Sequence, residues 1–392
     1  RGVIIDGAAA AAGSPCLVTS SNSNVIRGLQ VARCRAGVVV NGSGNVIGPD
    51  NAFYDNYEYG IQLSGSGNIV KGNKIGTNVE GTALHPAGTN LLGGVSVEGT
   101  NHVIGGGTPG DRNVISGNGV GIQISNNSTG SFIKGNYIGT DVGGTMDLGN
   151  TTVGVNVVTS QTTIGGAAAG EGNVISGNGG AGIRLFFPGP SGSVVQGNRI
   201  GTTADGLAPL GNGEDGIFLD RSLENMIGGT AAGAGNEISA NGQSGIDVTF
   251  NSDNTTIQGN FIGTEGDGTG ALGNLAEGIK ISGSDTNTIG GTSGNAGNRI
   301  ANNVGDGIFV QSSTGNLIRD NSVVANGGLG IDLFPDGPTA NDAAPDNDSG
   351  ANTLQNFPVL SSATREPGGL RVQGTLTSST SASFTVELFG SA

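Results

Sequence analysis

Three features of the sequence predict an all-β solenoid, a right-handed single-stranded parallel β-helix of about twelve coils. A unit of about 62 residues recurs four times, short runs of Ile and Val repeat inside it, and Gly and Asn punctuate the runs at fixed places. The remaining C-terminal residues are expected to form a β-hairpin or partial β-sandwich cap. Composition agrees: 78 of 392 residues are Gly, Trp is absent, aromatics are 4% and charged residues 12%. Glycine at a fifth of the positions excludes an ordinary helical protein. With 12 Pro and no three-residue glycine period, collagen is excluded too. No apolar run reaches the roughly 18 residues of a membrane-spanning helix.

The elements follow from the repeat. Gly-Asn-x-Ile-Gly-Thr begins at Gly72, Gly135, Gly197 and Gly259, and Ile-Gly-Gly at Ile104, Ile164, Ile227 and Ile289. Within one coil, Gly121-Ile122-Gln123-Ile124 reads as a first strand, Phe132-Ile133-Lys134 as a second and Tyr137-Ile138 as a third. Apolar residues alternate within each, so they share one face. Aligned coils stack Ile122, Val155, Ile183 and Ile217 in one column and Ile138, Ile175, Ile200 and Ile238 in another. Each long unit then holds two coils with two kinds of insert. One, such as 167–172, precedes an Asn. The other follows Ile-Gly-Thr at 78–89, 141–149, 203–211 and 265–273. Gly81, Gly144, Gly206 and Gly268 lie at matching points, which predicts one shared turn and a row of loops along one side. Asn73, Asn113, Asn136 and their equivalents through Asn321 mark one corner, and Asn56, Asn90, Asn150 and their equivalents through Asn326 a second. They are expected to take the left-handed conformation of tight corners and to hydrogen-bond up the stack.

These strings resemble the bacterial right-handed parallel β-helix repeat proteins of the pectate-lyase-like superfamily, over about residues 1 to 334. The resemblance implies the fold, and an extracellular or cell-surface setting of the kind occupied by large secreted proteins. It does not choose a function, because that scaffold carries polysaccharide lyases, glycoside hydrolases, epimerases, phage spikes and adhesins. The polygalacturonase-like signatures of that superfamily are absent here.

Three regions are expected: the β-helix at 1–334, an acidic loop at 335–356, and C-terminal strands at 357–392. The acidic loop carries Asp336, Asp342, Asp346 and Asp348. Its Asp-Asn-Asp-Ser-Gly is similar to the start of an oxygen-rich calcium loop, although the downstream bidentate Glu is missing. Calcium is therefore the candidate cofactor, with a polar linker as the alternative. Leu370–Leu376 and Phe384–Leu388 alternate like half-buried strands.

Outward positions of the first strand form a row, one residue per coil: Gln123, Asn156, Arg184, Phe218, Asp247, Lys280, Phe309 and Asp332. Beside it runs Phe186, Asp220, Thr249 and Ser282. Arg184, Asp220, Asp247 and Lys280, with Arg221, make the densest mixed-charge neighbourhood, able to supply a general acid and base or a sugar subsite. The alternative is a cross-strand ion pair on a solvated face. Phe218 and Phe309 are candidate sugar-stacking residues, with burial beneath the Pro188-Gly189-Pro190 loop as the alternative; Tyr54, Tyr57 and Tyr59 near the N-terminus are candidates too, with packing of the N-terminal coils as an equal alternative. His85 and His102 are isolated, and no Ser has a His partner. Cys16 and Cys34 are one coil apart, so a disulfide and two buried thiols both fit.

The formal net charge of −15 argues against nucleic acid as a partner. A polysaccharide or other cell-surface or matrix component, or a sister molecule, fits better. Two function classes remain: a non-catalytic adhesive rod, and a polysaccharide lyase or glycoside hydrolase working on the outer face of the first-strand sheet. A groove with convergent charges would favour the enzyme, and flat faces the rod.

Overall fold

The computed structural model describes residues 3–9, 13–158, 161–186, 192–343, 348–378, 383–384 and 386. Three parallel sheets run from Val3 to Leu333, with 12 strands in the first, 11 in the second and 12 in the third. Each coil contributes one short strand to each sheet. β-Branched residues favour the pleat, and the Gly and Asn between them end most strands after two to five residues, Gly93–Thr100 and Val120–Thr129 being longer.

The predicted columns are in register. Ile122 pairs with Val155, Val155 with Ile183 and Ile183 with Ile217 in the first sheet, and Tyr137-Ile138 with Val174-Ile175 in the third. Ile122, Ile138, Ile175, Ile217 and Ile246 are fully buried, so one continuous core runs along the axis. The glycine before each first strand is a packing requirement. A Cβ on Gly154 would lie 2.7 Å from the Gly182 carbonyl oxygen and 2.9 Å from Asn178 Nδ2 of the next coil.

Asparagines fill the corners as ladders. Asn90 Nδ2 donates to Asn118 Oδ1 at 2.8 Å, and Asn118 Nδ2 to Asn150 Oδ1 at 3.0 Å. Each amide also bonds backbone: Asn118 Nδ2 reaches the Ile75 carbonyl, and Asn150 Oδ1 accepts the Asn118 N–H. Such saturation lets a polar group sit in a core. The expected left-handed asparagines are corrected here: the ladder residues have negative φ, and the positive φ falls on flanking glycines such as Gly135 (67°) and Gly139 (93°). Glycine pays no Cβ penalty there, so asparagine is left free to serve as the hydrogen-bonding rung. A further ladder at the corner before the second sheet runs through Asn24, Asn45, Asn68 and His102.

The inserts after Ile-Gly-Thr share one turn. Thr77–Leu84, Thr140–Asp147, Thr202–Pro209 and Thr264–Ala271 form equivalent antiparallel bridges. Gly81, Gly144, Gly206 and Gly268 have φ of 73°, 68°, 77° and 78°. The loops form a row: Val142 N–H donates to the Gly81 carbonyl at 2.7 Å and Ala204 N–H to the Gly144 carbonyl at 2.8 Å.

At the ends, Cys16 and Cys34 are disulfide-bonded across adjacent coils. The last coil is covered by 351–354, part of the acidic segment. Ala351 is buried, Leu354 packs on the core, and Asn352 Oδ1 extends the second-sheet ladder by accepting the Asn316 N–H at 2.8 Å. The C-terminal hairpin pairs Val359–Glu366 with Gly369–Thr375 and is largely exposed. The strand expected at 384–388 falls mostly outside the described residues.

Candidate functional site on the outer face of the first sheet

The outward row is in the expected register: Arg184 pairs with Phe218, Phe218 with Asp247, Asp247 with Lys280, Lys280 with Phe309 and Phe309 with Asp332. The four candidate catalytic residues nevertheless divide into two groups.

In the first, Arg184 lies over Phe186 at 4.4 Å and over Phe218 at 5.7 Å, and Arg221 over Phe186 at 5.3 Å. Asp220 is held by its neighbour Arg221, Nε to Oδ1 at 2.8 Å. The result is a platform of guanidinium and aromatic faces with the carboxylate beneath it. Phe187 lies outside the described residues.

In the second, Lys280 Nζ donates to Asp247 Oδ2 at 2.9 Å. Asp215, immediately before the strand glycine, packs beside them, and its Oδ1 accepts the Ser244 N–H at 2.9 Å. Ser244 Oγ in turn donates to Glu277 Oε2. Burial pushes the Asp215 carboxyl up to about 7, helped by the charge of Asp247. Asp247 is raised by burial as well, against the pull of Lys280. Lys280 loses some basicity to burial, but Asp247 outweighs that and its pKa ends above the usual lysine value. Asp247 Oδ1 is buried without a protein partner. Open hollows adjoin these strands. One of about 480 Å³ is lined by Asp220, Arg221, Phe250, Asn251 and Gly283, and one of about 440 Å³ includes Glu277, Asp306, Phe309 and Asp336.

Asp215, Ser244 and Glu277 were missed from the sequence. The available signal was a run of polar residues immediately before successive strand glycines, which reads as turn chemistry unless the coils are stacked.

Two further sets of candidate residues are spread over different parts of the structure. Tyr54, Tyr57 and Tyr59 do not make one sugar platform. Tyr54 is buried in the third sheet and stacks on His85 with ring centroids 3.4 Å apart, Tyr59 starts a first-sheet strand, and Tyr57 is exposed between them. The corner between the two sheets turns the rings onto different faces. Of the calcium candidates, Asp336, Asp342 and Asp348 form no shared carboxylate cluster among the described residues. Asp336 joins Asp306 and Asp332 of the last coils, with carboxylate oxygens within 4.8 Å of one another. Asp342 is taken by Asn356, whose Nδ2 donates to Asp342 Oδ1 at 2.9 Å. Asp346 lies outside the described residues.

A structure of the periplasmic alginate epimerase AlgG (a double mutant) is 13% identical, with 80% of this chain and 75% of that one covered and a TM-score of 0.47. The A-module of Azotobacter vinelandii mannuronan C-5 epimerase AlgE6 is 14% identical over 82% and 85%, with a TM-score of 0.35. Alginate lyase from Paenibacillus sp. str. FPU-7 is 14% identical over 83% and 97%, with a TM-score of 0.27. The comparison with curated proteins gives no match. The profile described as "Right handed beta helix region" matches residues 3–138 and 210–343, more than half of the chain, and the protein therefore belongs to the right-handed β-helix family.

Proposed function

We propose that this chain is an extracytoplasmic β-helix whose first-sheet outer face binds an extended polysaccharide. The observation that carries this reading is the outward row itself. Arg184 over Phe218, then Asp247 with Lys280, then Phe309 offer stacking and ionic groups at one strand spacing each, ~4.8 Å. Apolar ring faces and charged hydrogen-bonding groups in alternation suit sugar rings and their hydroxyls. The row is linear and open, which suits a chain better than a small molecule. The Cys16–Cys34 disulfide fits an oxidising compartment.

A second reading, acid–base chemistry on the bound chain, is favoured by Asp215. A carboxyl held near 7 beside an Asp–Lys pair is a combination from which proton transfer can be built.

A glycan array followed by titration calorimetry tests binding, and reducing-sugar and unsaturated-uronate assays test chemistry. The reading expects at least a tenfold loss of affinity in Phe218→Ala and Lys280→Met. If both variants bind as wild type does, the first-sheet face is not the site. Product formation that disappears in Asp247→Asn while binding persists would establish the second reading.

A further inference from the structure

The second sheet is apolar on both of its faces. One outward residue per coil runs in register from Val25 to Leu317, through Phe132, Thr163, Val194 and Met226. Every position of this column, over all 11 strands, is Val, Ile, Leu, Phe, Met or Thr. The inward neighbours, such as Ile133 and Ile227, are fully buried in the core. A parallel sheet with apolar residues on both faces is the pattern of a sheet covered on both sides. Here the outer side is open: Val25, Phe132, Met226 and Leu317 are between 40% and 61% exposed. The outward columns of the other two sheets are charged, with Arg184, Asp247 and Lys280 on the first and Arg199, Glu237 and Arg299 on the third.

The flanking groups are already satisfied. Two residues further along each strand, a second outward column has Gly on alternate coils, among them Gly105, Gly165 and Gly228. The long side chains between these glycines are tied down within the chain. Lys71 Nζ pairs with Asp111 Oδ1 and Lys134 Nζ with Glu171 Oε1, both at 2.9 Å. Gln196 Nε2 donates to the Gly228 carbonyl and Gln258 Nε2 to the Gly290 carbonyl, again at 2.9 Å. Covering this face would leave none of these four without a partner, so the usual penalty for burying polar groups is small here.

Charge and area say what covers it. Two chains of formal net charge −15 repel each other, and close approach is least opposed where neither outward column contains an acid. Eleven coils make the strip ~48 Å long, and its two columns lie ~7 Å apart. Two such strips face to face bury on the order of 1,000 Å² in total, the size at which specific association begins. A second copy also carries the same spacing from coil to coil, so its side chains stay in step over the whole length.

We propose that the outer face of the second sheet is an interface between two copies of this chain, packed sheet to sheet with their apolar columns in contact along their full length. The pair is symmetric, the same patch meeting itself. Thr163, at the middle of the column, then meets its own counterpart. The first sheet's outer face stays open in such a pair, so the proposal does not rest on polysaccharide binding there.

Sedimentation equilibrium on the full chain tests it. Wild type at about 100 μM should show twice the chain mass of 38.4 kDa in 0.5 M NaCl, and less dimer in 0.05 M NaCl, where like charges are screened less. Phe132→Asp and Met226→Lys should each weaken the dimer at least tenfold with circular-dichroism spectra unchanged. Leu207→Asp, which alters an equally exposed apolar residue on an insert, should dimerise as wild type does. Cys16 and Cys34 are bonded to each other, so a thiol added by Thr163→Cys reports on the interface alone, and mild oxidation should convert that variant to a covalent dimer. This readout stands even if the charged variants fail to fold. A monomeric wild type at about 100 μM in 0.5 M NaCl overturns the proposal. So does wild-type dimerisation in both folded charge variants, an equal loss in Leu207→Asp, or no covalent dimer from Thr163→Cys.

Discussion

Lys280 Nζ and Asp247 Oδ2 meet at 2.9 Å across two adjacent coils, and the two ends of this ion pair live in different environments. The Asp247 side chain is 8% exposed and that of Lys280 35%. The lysine reaches into solvent while the carboxylate stays packed against Asp215 and the strand. Asp247 therefore depends on Lys280 more than the reverse, since a buried charge left unpaired is penalised heavily and a surface one hardly at all.

Lys280→Met should consequently destabilise the protein at pH 8 by about 1–3 kcal/mol, the lower part of the range for broken buried pairs because one partner is partly solvated. Adding Asp247→Asn to Lys280→Met should recover most of that loss. Denaturant midpoints of the two variants and wild type decide it. A single variant as stable as wild type means that solvent already screens Asp247.

Stability should fall as pH rises from about 4 to about 7. Asp215 and Glu237 both have carboxyls that burial holds near 7, far above their values in an unfolded chain. The folded state then binds more protons than the unfolded state in that interval, so raising pH favours unfolding until both groups have ionised. Each contributes at most about 3–4 kcal/mol by the conversion of pKa shift into free energy. Asp215→Asn should match wild type near pH 4 and exceed its melting temperature at pH 8. Identical pH profiles for the two proteins would count against the burial of Asp215.

His102 should act in the opposite direction. It is fully buried, its Nδ1 accepts the Asn68 N–H at 3.2 Å, and its Nε2 lies 2.8 Å from the Glu98 carbonyl oxygen. These partners require the neutral ring with its proton on Nε2, and burial lowers the pKa. The unfolded state therefore takes up a proton more readily, and stability is lost as pH falls below the ordinary histidine value of about 6.5. His102→Asn, which continues the rung below it, should remove this acid-side loss in melts between pH 7 and 5. An unaltered loss would place its origin in another group.

Ile217→Asp should cost several kcal/mol and unfold neighbouring coils with it. Ile217 is fully buried between Ile183 and Ile246, and nothing in that column can pair a carboxylate. Circular-dichroism melting is the measurement, and a transition unchanged from wild type would refute the register.

What the sequence determined by itself was the interior. Stacked coils must place the same kind of residue at the same interior point, so Ile217, Gly154 and Asn118 are each one copy of a periodic constraint, and a period is visible in a linear string. The outward row from Arg184 to Asp332 was legible for the same reason, since register follows once the columns are aligned. Only the tertiary structure decided which surface groups meet. Asp215 reaches Asp247 because a turn residue of one coil packs beside a strand residue of the next. Glu237 is enclosed because inserts of two kinds rise on either side of its strand. Asp336 joins Asp306, and not Asp342, because the chain folds back over the last coil. These contacts depend on loop paths and on which carboxyl is desolvated, and neither repeats from coil to coil, so no period in the sequence records them.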